Sequence, residues 1–204
     1  MQNLSVGPDE EILNADPFIQ FDKWYNHRLS MNLSIPDSMS LGTVSGEGGV
    51  SVRTVLLKSY NSNGFVFFTN YLSRKGIQIE TNNNAALLFY WPETGQQVRI
   101  EGCVTKITEE ESDKYFMSRP VDSRIAAWAS EQSSIIPDRK YLEEQFDHYK
   151  NIYKNKPVER PPHWGGYQLI PYWFEFWTEG KHRLHDRISY TLSEEGWVMS
   201  RLAP

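Results

Sequence analysis

Two neighbouring cations follow a predicted strand and open a predicted helix. Arg74 and Lys75 come directly after Ser73, between the strand that ends at Thr69-Asn70 and the helix-like segment 76–81. Because a helix N-terminus already carries about half a positive charge, two cations in its first turn are unfavourable unless an anion binds there. Free backbone N–H groups with an arginine and a lysine suit a phosphate. The segment indicates a phosphate site, and the alternative is a solvated pair of surface cations.

A second basic cluster occupies residues 181–187, where five of the seven residues are Lys, Arg or His. If this stretch is extended, Arg183, His185 and Arg187 share one face, because the side chains of a strand alternate. Such a face suits an anionic ligand, or a proton transfer that involves His185. The structural alternative is a charged edge strand that discourages aggregation.

A hydroxyl, a guanidinium and a second hydroxyl meet at one helix end. Tyr115 and Arg119 are four residues apart and therefore lie on one helix face, while Ser123 follows just past Pro120. The three groups can surround a phosphate monoester. The alternative for Arg119 is a simple interaction with the helix dipole.

Arg53 and Lys58 stand at the two ends of a mostly apolar predicted strand. Because they are five residues apart, they point to opposite faces of a regular strand. One shared pocket would require a bulge, a strand end or a second subunit.

The elements that position these residues are mainly strands. Short segments of strand character are separated by turns rich in Gly, Asn and Pro, which is typical of a barrel or sandwich. The predicted strands are 39–45, 50–59, 65–69, 85–91, 96–107, 167–177, 186–192 and 197–202. We predict a mainly β protein with flanking helices, of the α+β class.

Helices are predicted where apolar residues recur every three or four positions. One begins at Pro17 with Asp16 as its N-cap, one is opened by a capping box at Thr108, and one begins near Pro137. Residues 154–166 are predicted to be a loop. We predict a flexible N-terminal arm over 1–15 and a single domain over 16–204.

Composition excludes several classes of function. The 204 residues include 21 basic and 26 acidic side chains, for a net charge of -5, which argues against nucleic acid as the partner. A single cysteine and the absence of ligand motifs argue against a metal site. No apolar run reaches the roughly 20 residues of a membrane span, and the start of the chain lacks a basic and then apolar segment. We therefore expect a cytoplasmic protein.

Ordered blocks from about residue 36 to the end resemble the pyridoxine/pyridoxamine 5'-phosphate oxidase family. The blocks that carry this resemblance are Arg53-Thr54-Val55-Leu56-Leu57-Lys58, Phe68-Thr69-Asn70, Ser73-Arg74-Lys75-Gly76, Gln97-Val98-Arg99, Tyr115-Phe116-Met117-Ser118-Arg119-Pro120, Ser123-Arg124-Ile125, Gln132-Ser133-Ser134, Glu175-Phe176-Trp177, Arg183-Leu184-His185-Asp186-Arg187 and Arg201-Leu202-Ala203-Pro204. Each block alone is weak, and the ordered set is specific.

The resemblance implies an FMN-binding split β-barrel that works as a homodimer, with the flavin in the subunit interface. The residues that it assigns to the flavin are Arg53, Thr54, Val55, Leu56, Leu57, Lys58, Phe68, Thr69, Arg74, Lys75, Gln97, Gln132, Ser133, Trp177 and Arg187. The residues that it assigns to the substrate are Lys58, Tyr115, Arg119, Ser123, Arg183 and His185, of which the last two are the candidate catalytic pair. The FMN phosphate is expected near Arg74 and Lys75.

The implied activity is oxidation of pyridoxine or pyridoxamine 5'-phosphate, a phosphorylated form of vitamin B6, to pyridoxal 5'-phosphate, with O2 as the acceptor and H2O2 as a product. The alternatives are an FMN oxidase of the phenazine-biosynthesis type and a non-catalytic protein that binds FMN or pyridoxal phosphate. Three departures from the family pattern are the absence of any Arg before Arg28, Thr178 after Trp177, and Ala126 in place of Gly. We expect these to affect a substrate-covering lid, affinity or loop shape.

Overall fold

A computed structural model describes residues 5–6, 11–31 and 35–204. The helices in these ranges are α1 (Pro17–Ser30), α2 (Arg74–Thr81), α3 (Glu109–Ser118), α4 (Val121–Ala129) and α5 (Arg139–Ile152). The strands are β1 (Ser5–Val6), β2 (Glu11–Ile12), β3 (Ser38–Val44), β4 (Val50–Leu56), β5 (Ser59–Asn61), β6 (Gly64–Asn70), β7 (Asn84–Trp91), β8 (Gln96–Lys106), β9 (Trp164–Thr178), β10 (Asp186–Ser193) and β11 (Gly196–Arg201). None of the described helices is long and apolar enough to cross a membrane.

Nine strands form one antiparallel sheet that curls into a half-barrel. The sheet runs in the order β11-β10-β9-β8-β7-β3-β4, and β6 joins it by pairing with β9. β9 is the hub, because its first half pairs with β6, its second half pairs with β10, and β8 runs along both. The prediction of a mainly β protein with flanking helices is confirmed.

The inner face of the half-barrel forms the main hydrophobic core. Side chains such as Leu41, Phe174 and Phe176 alternate inward along their strands and are fully buried. Helix α1 begins as predicted, since the Asp16 side chain accepts from the backbone N–H of Phe18 at 2.8 Å. It covers the core with aromatic rings, so burial and ring contacts together fix its position.

A second, smaller core lies under α3, α4 and α5. It is built on Phe116, Ile125, Val158 and Trp164. Helix α5 packs here through Phe146 and Tyr149. These helices form one wall of the cavity described below.

One predicted strand is divided in two, and one helix is found where none was predicted. The strand predicted over 50–59 is two strands, because the Leu57 N–H donates to the Asp37 carbonyl and the Lys58 N–H donates to the Val66 carbonyl. The helix that the Thr108 capping box opens is α3, and Pro120 after it stands at the N-cap of α4, which the sequence did not predict.

The predicted loop 154–166 ends three residues early, at the start of β9. Gly165 and Gly166 indicated a loop, yet they are paired strand residues. A Cβ at 165 would overlap the hydroxyl of Tyr71, and one at 166 would overlap the side chain of Ile107. Glycine is required here for close packing.

The predicted arm over 1–15 is only partly described. Residues 1–4 and 7–10 lie outside the described residues, and β1 pairs with β2 in an antiparallel ladder. The side chain of Leu13 is buried in the main core.

Candidate functional site

A cavity of about 700 Å³ opens where β4 and β6 end beside α2, α3 and α4. Many of the residues predicted for the flavin or the substrate line it. They are Thr54, Val55, Leu56, Lys58, Phe68, Thr69, Lys75, Tyr115, Arg119, Ser123 and Gln132. Residues separated by almost 80 positions in the sequence therefore meet at one place.

Lys75 is a buried cation that lacks a counter-ion. Its Nζ donates to Thr69 Oγ1 at 3.1 Å, to Ser73 Oγ at 3.1 Å and to Gln132 Oε1 at 3.0 Å, and all three acceptors are neutral. No carboxylate pairs with it among the residues that the structure describes. Burial, together with the nearby charge of Arg53, lowers its pKa from 10.5 to about 8. Such an ammonium favours an anionic ligand.

Arg53 and Arg74 extend this positive region at the start of α2. The Arg53 guanidinium donates to the Leu41 carbonyl at 2.9 Å, to Thr43 Oγ1 at 2.6 Å and to Gln78 Oε1 at 3.3 Å. Burial and the neighbouring charge of Arg74 lower the pKa of Arg53. The structure thus places Arg53 beside Arg74 and Lys75, the two cations that the sequence predicted at this helix start. Gln78, which sequence reasoning missed, orients one of them.

Aromatic rings form a second wall of the cavity. The ring of Phe68 stacks on Tyr115 at 3.8 Å and on Trp164 at 5.4 Å between centroids. The Arg119 guanidinium lies 4.6 Å from the centroid of Trp164. Trp164 was missed because its segment was predicted to be a loop.

Arg119 carries an unsatisfied donor. Its Nη1 is buried and has no hydrogen-bond partner among the described residues, and burial lowers the pKa of Arg119. A buried guanidinium nitrogen without an acceptor is costly and indicates that an acceptor is supplied by a ligand or water. This is the second cationic centre of the cavity.

Lys58 lies beyond the end of β4. A strand end is one of the three arrangements that would let Lys58 and Arg53 serve one pocket. Its Nζ bonds to Asp37 Oδ2 at 2.6 Å, a partner that sequence reasoning missed. An ammonium has three N–H donors, so two remain for a ligand in the cavity. Arg53 itself does not line the cavity.

A second group of predicted residues lies elsewhere on the sheet. Gln97, Trp177 and Arg187 are direct cross-strand neighbours on β8, β9 and β10. Their neighbours in sequence, Val98, Phe176 and Ile188, are fully buried on the inner face. Because strand side chains alternate, Gln97, Trp177 and Arg187 point to the outer face of the half-barrel. The ring of His185 packs on Trp177 at 4.6 Å.

The segment 181–185 is not extended, so the predicted shared face of Arg183, His185 and Arg187 is wrong. Lys181–Arg183 is a 3-10 turn in which His182 and Arg183 adopt left-handed φ values of 57° and 63°. The Gly180 N–H donates to His185 Nδ1 at 3.2 Å. A neutral imidazole in this arrangement carries its proton on Nε2.

The two groups lie on different strands, and the second group does not line the cavity. Thr54, at the cavity, lies in one cross-strand row with Ser40, Leu88, Arg99, Glu175 and Ser189. Counted along the curled sheet, this row crosses five strand spacings from β4 to β10. The predicted residues that do not line the cavity are Arg53, Leu57, Arg74, Gln97, Ser133, Trp177, Arg183, His185 and Arg187.

Comparison with known proteins identifies similar sequences. Residues 31–153 match a family described as pyridoxamine 5'-phosphate oxidase, and residues 164–204 match one described as the pyridoxine 5'-phosphate oxidase C-terminal dimerisation region. A pyridoxine/pyridoxamine 5'-phosphate oxidase of Burkholderia thailandensis is 52% identical over 199 residues, covering 96% of this chain and 92% of that protein. One from Burkholderia multivorans is 51% identical with the same coverage.

Solved structures share the fold. PhzG from Burkholderia lata 383, in complex with tetrahydrophenazine-1-carboxylic acid, has a TM-score of 0.87 and 30% identity, covering 94% of each chain. A pyridoxamine 5'-phosphate oxidase-related FMN binding protein of Nostoc punctiforme has a TM-score of 0.73 and 19% identity, covering 94% of this chain and all of that one. The second likeness concerns the fold alone.

Proposed function

Because this chain belongs to the pyridoxamine 5'-phosphate oxidase family, we propose that it oxidises pyridoxine or pyridoxamine 5'-phosphate to pyridoxal 5'-phosphate, with FMN as cofactor and O2 as acceptor, releasing H2O2. One observation carries the proposal. The cavity has two cationic centres, at Lys75 and at Arg119, and each lacks an anionic partner among the described residues. Two phosphorylated molecules, a cofactor and a substrate, would satisfy both centres.

The residues around Lys75 fit the phosphate of FMN. Arg53, Arg74 and Lys75 would hold it at the N-terminus of α2, where the helix dipole and charge-assisted hydrogen bonds both favour an anion. Thr69 and Gln132 already orient the Lys75 ammonium. When bound, FMN supplies the redox chemistry, and the protein's part is to bind and orient.

The outer sheet face supports the proposed homodimer. Val50 and Val52 are 71% and 68% exposed, and Gly42 and Ala86 lie beside Val52 in the sheet. Exposed apolar patches of this kind mark interfaces, and small residues allow a second sheet to approach closely. The match of residues 164–204 to a dimerisation region supports a homodimer, and it covers β9, β10 and β11 rather than the Val52 patch.

A two-fold axis along the strands would complete the site. The cavity lies at one end of the Thr54 row, while Gln97, Trp177 and Arg187 lie near the other end on the same face. In a self-complementary dimer each end of the row faces the opposite end in the second copy. Trp177 and Arg187 from one copy would then cover the cavity of the other.

Val52→Glu is expected to prevent dimerisation and to abolish FMN binding at the same time. A carboxylate on this face would be desolvated without a partner in the interface. Size-exclusion chromatography with light scattering, and flavin absorbance after reconstitution, measure the two effects. Ile152→Glu, an exposed apolar position on α5, is the matched control and should remain a flavin-binding dimer. A Val52→Glu dimer that binds FMN normally would contradict the assignment.

Binding of the substrate phosphate falls to Lys58, Tyr115, Arg119 and Ser123. All four line the cavity, and Tyr115 and Arg119 belong to its aromatic wall. Arg183 and His185 of a second copy would orient the ring substituents at the reacting carbon. The Gly180 N–H donates to His185 Nδ1, so the nitrogen available to the substrate is Nε2. This nitrogen donates a hydrogen bond when the ring is neutral.

Gly180→Ala is expected to lower kcat/KM at least about tenfold, the effect of losing roughly one well-placed hydrogen bond to the substrate. The new Cβ would overlap the Leu184 carbonyl, so the turn that carries Arg183 and His185 must shift. Steady-state kinetics and thermal melting separate activity from stability. Gly46→Ala, where the Cβ has 3.8 Å to its nearest neighbour, should leave both unchanged. Normal kinetics in Gly180→Ala would argue against a role for this turn.

An aerobic assay with both phosphorylated vitamers tests the function directly. Purified, FMN-loaded protein should form pyridoxal 5'-phosphate with one H2O2 per turnover. FMN binding without turnover would favour the non-catalytic alternative. Turnover of a reduced phenazine carboxylic acid instead would favour the phenazine-biosynthesis type, which has the similar fold but the lower identity, 30% against 52%.

A further inference from the structure

Glu175 is a buried carboxylate that the proposed contacts do not use. Its side chain is 2% exposed, although it lies on the outer face of β9. Oε2 accepts from Arg99 Nη1 at 2.9 Å, and Oε1 accepts from Arg187 Nε at 2.7 Å. It therefore joins β8 and β10 through two guanidinium groups.

Such an arrangement is not explained by stability alone. Removing a carboxylate from water costs several kcal/mol, on the order of what the paired charges return, and apolar side chains of similar size often serve as well. What an ion pair adds is a fixed direction for its partner. Here the partner is Arg187, one of the residues expected to contact the flavin.

The orientation of Arg187 is fixed at two of its three nitrogens. Nε is bound to Glu175, and Nη1 donates to the carbonyl of Ala203 at 2.9 Å. The chain end is itself held, because the Leu202 N–H donates to the Arg187 carbonyl at 2.8 Å. Among the described residues no hydrogen bond involves Nη2. One edge of the guanidinium fork therefore remains for a ligand.

We propose that Glu175 is a positioning residue for the flavin site: it aims the free edge of Arg187 at FMN bound in the cavity of the second copy. This inference rests on the proposed function. Glu175 touches neither cofactor nor substrate, and it acts through Arg187.

Glu175→Gln tests this role, because it keeps the size of the side chain and removes the charge. Titration of the apoprotein with FMN, followed by flavin fluorescence, should give a Kd roughly tenfold or more higher than that of the wild type, as expected when a charge-assisted hydrogen bond no longer fixes its donor. Glu101→Gln is the matched control, since Glu101 bonds to Arg99 at 3.0 Å but not to Arg187. Its Kd should stay within about twofold of the wild type.

A double-mutant cycle separates positioning from a structural role. Arg187→Ala should itself weaken FMN binding, and adding Glu175→Gln to it should change the Kd no further. A second loss of equal size in the Arg187→Ala background would overturn the inference. If Glu175→Gln fails to fold, Glu175→Asp replaces it, because aspartate keeps the charge and shortens the side chain. This variant should fold and bind FMN more weakly than the wild type. Normal FMN affinity in Glu175→Asp would overturn the inference.

The outcomes distinguish this inference from the proposed function. Wild-type protein that binds no FMN would overturn both. Wild-type binding with unchanged affinity in the Glu175 variants would overturn the positioning role alone.

Discussion

Arg119→Ala is expected to raise the KM for the phosphorylated substrate by roughly 10- to 100-fold, the effect of losing one or more hydrogen bonds between charged groups. The guanidinium lines the cavity, packs on Trp164 and has a buried nitrogen without a partner. It is therefore already positioned in the ligand-free protein. Because the phosphate is remote from the reacting carbon, its binding contributes about equally to the ground state and the transition state. The change in kcat should be smaller than the change in KM.

Steady-state kinetics with the FMN-loaded variant measure this effect, and the FMN Kd should stay close to that of the wild type. Arg139→Ala is a suitable control, because Arg139 is 86% exposed and pairs only with Glu143 on the same helix. Its kinetic constants should not change. An unchanged KM in Arg119→Ala would refute the assignment of Arg119 to the substrate phosphate.

The sequence predicts the cavity side of the site well, because local patterns dictate it. Ser73 caps α2, so Arg74 and Lys75 fall in its first turn as predicted. Tyr115 and Arg119 share a helix face because their spacing is four residues. These relations depend on neighbours in the chain and follow from helix geometry.

The contacts that orient these residues could not be predicted, because they join distant segments. Asp37 meets Lys58, and Glu175 meets Arg187, only once the strands have paired in register. The prediction of an extended segment at 181–185 failed for a different reason. Left-handed φ values at His182 and Arg183 are rare for residues with side chains, so alternation was the natural expectation and the tertiary structure overrode it.

Strand order also explains why the site looks incomplete in one chain. Sequence blocks assigned to one ligand occupy opposite ends of a cross-strand row, on the same face. Their separation along the sheet is set by the number of intervening strands, which no local pattern encodes. In the proposed dimer a second copy completes the site, and for that reason dimerisation and flavin binding are expected to fail together in Val52→Glu.

Lys75→Met should weaken FMN binding by about 100-fold, the upper range for a buried hydrogen bond between charged groups, without destabilising the apoprotein. Lys75 is 9% exposed, and its three acceptors are neutral. Its charge therefore costs free energy in the ligand-free state and becomes favourable only beside an anion. A residue that served only the fold would show the opposite pattern, with lower stability and unchanged affinity.

The pH dependence provides an independent check of the same residue. The folded pKa of about 8 lies below the ordinary value of 10.5. Between these two pH values Lys75 is protonated in the unfolded chain but has released its proton in the folded protein. The contribution of Lys75 to the free energy of unfolding therefore rises with pH over this range. Below pH 8 Lys75 is protonated in both the folded and the unfolded state, so the full free-energy cost of burying its charge is present. The free energy of unfolding of apo Lys75→Met should therefore equal or exceed that of the wild type at pH 7, and any excess should diminish toward pH 10.5.

Denaturant unfolding at pH 7 and pH 10, and FMN titration at the same two values, complete the test. Wild-type affinity should fall as the pH rises through the Lys75 pKa, because the neutral amine no longer attracts the phosphate, whereas the affinity of Lys75→Met should vary less. Lys114→Met, at an exposed position on α3, should behave as the wild type. Equal FMN affinity in wild type and Lys75→Met at pH 7 would show that this ammonium does not hold the cofactor phosphate.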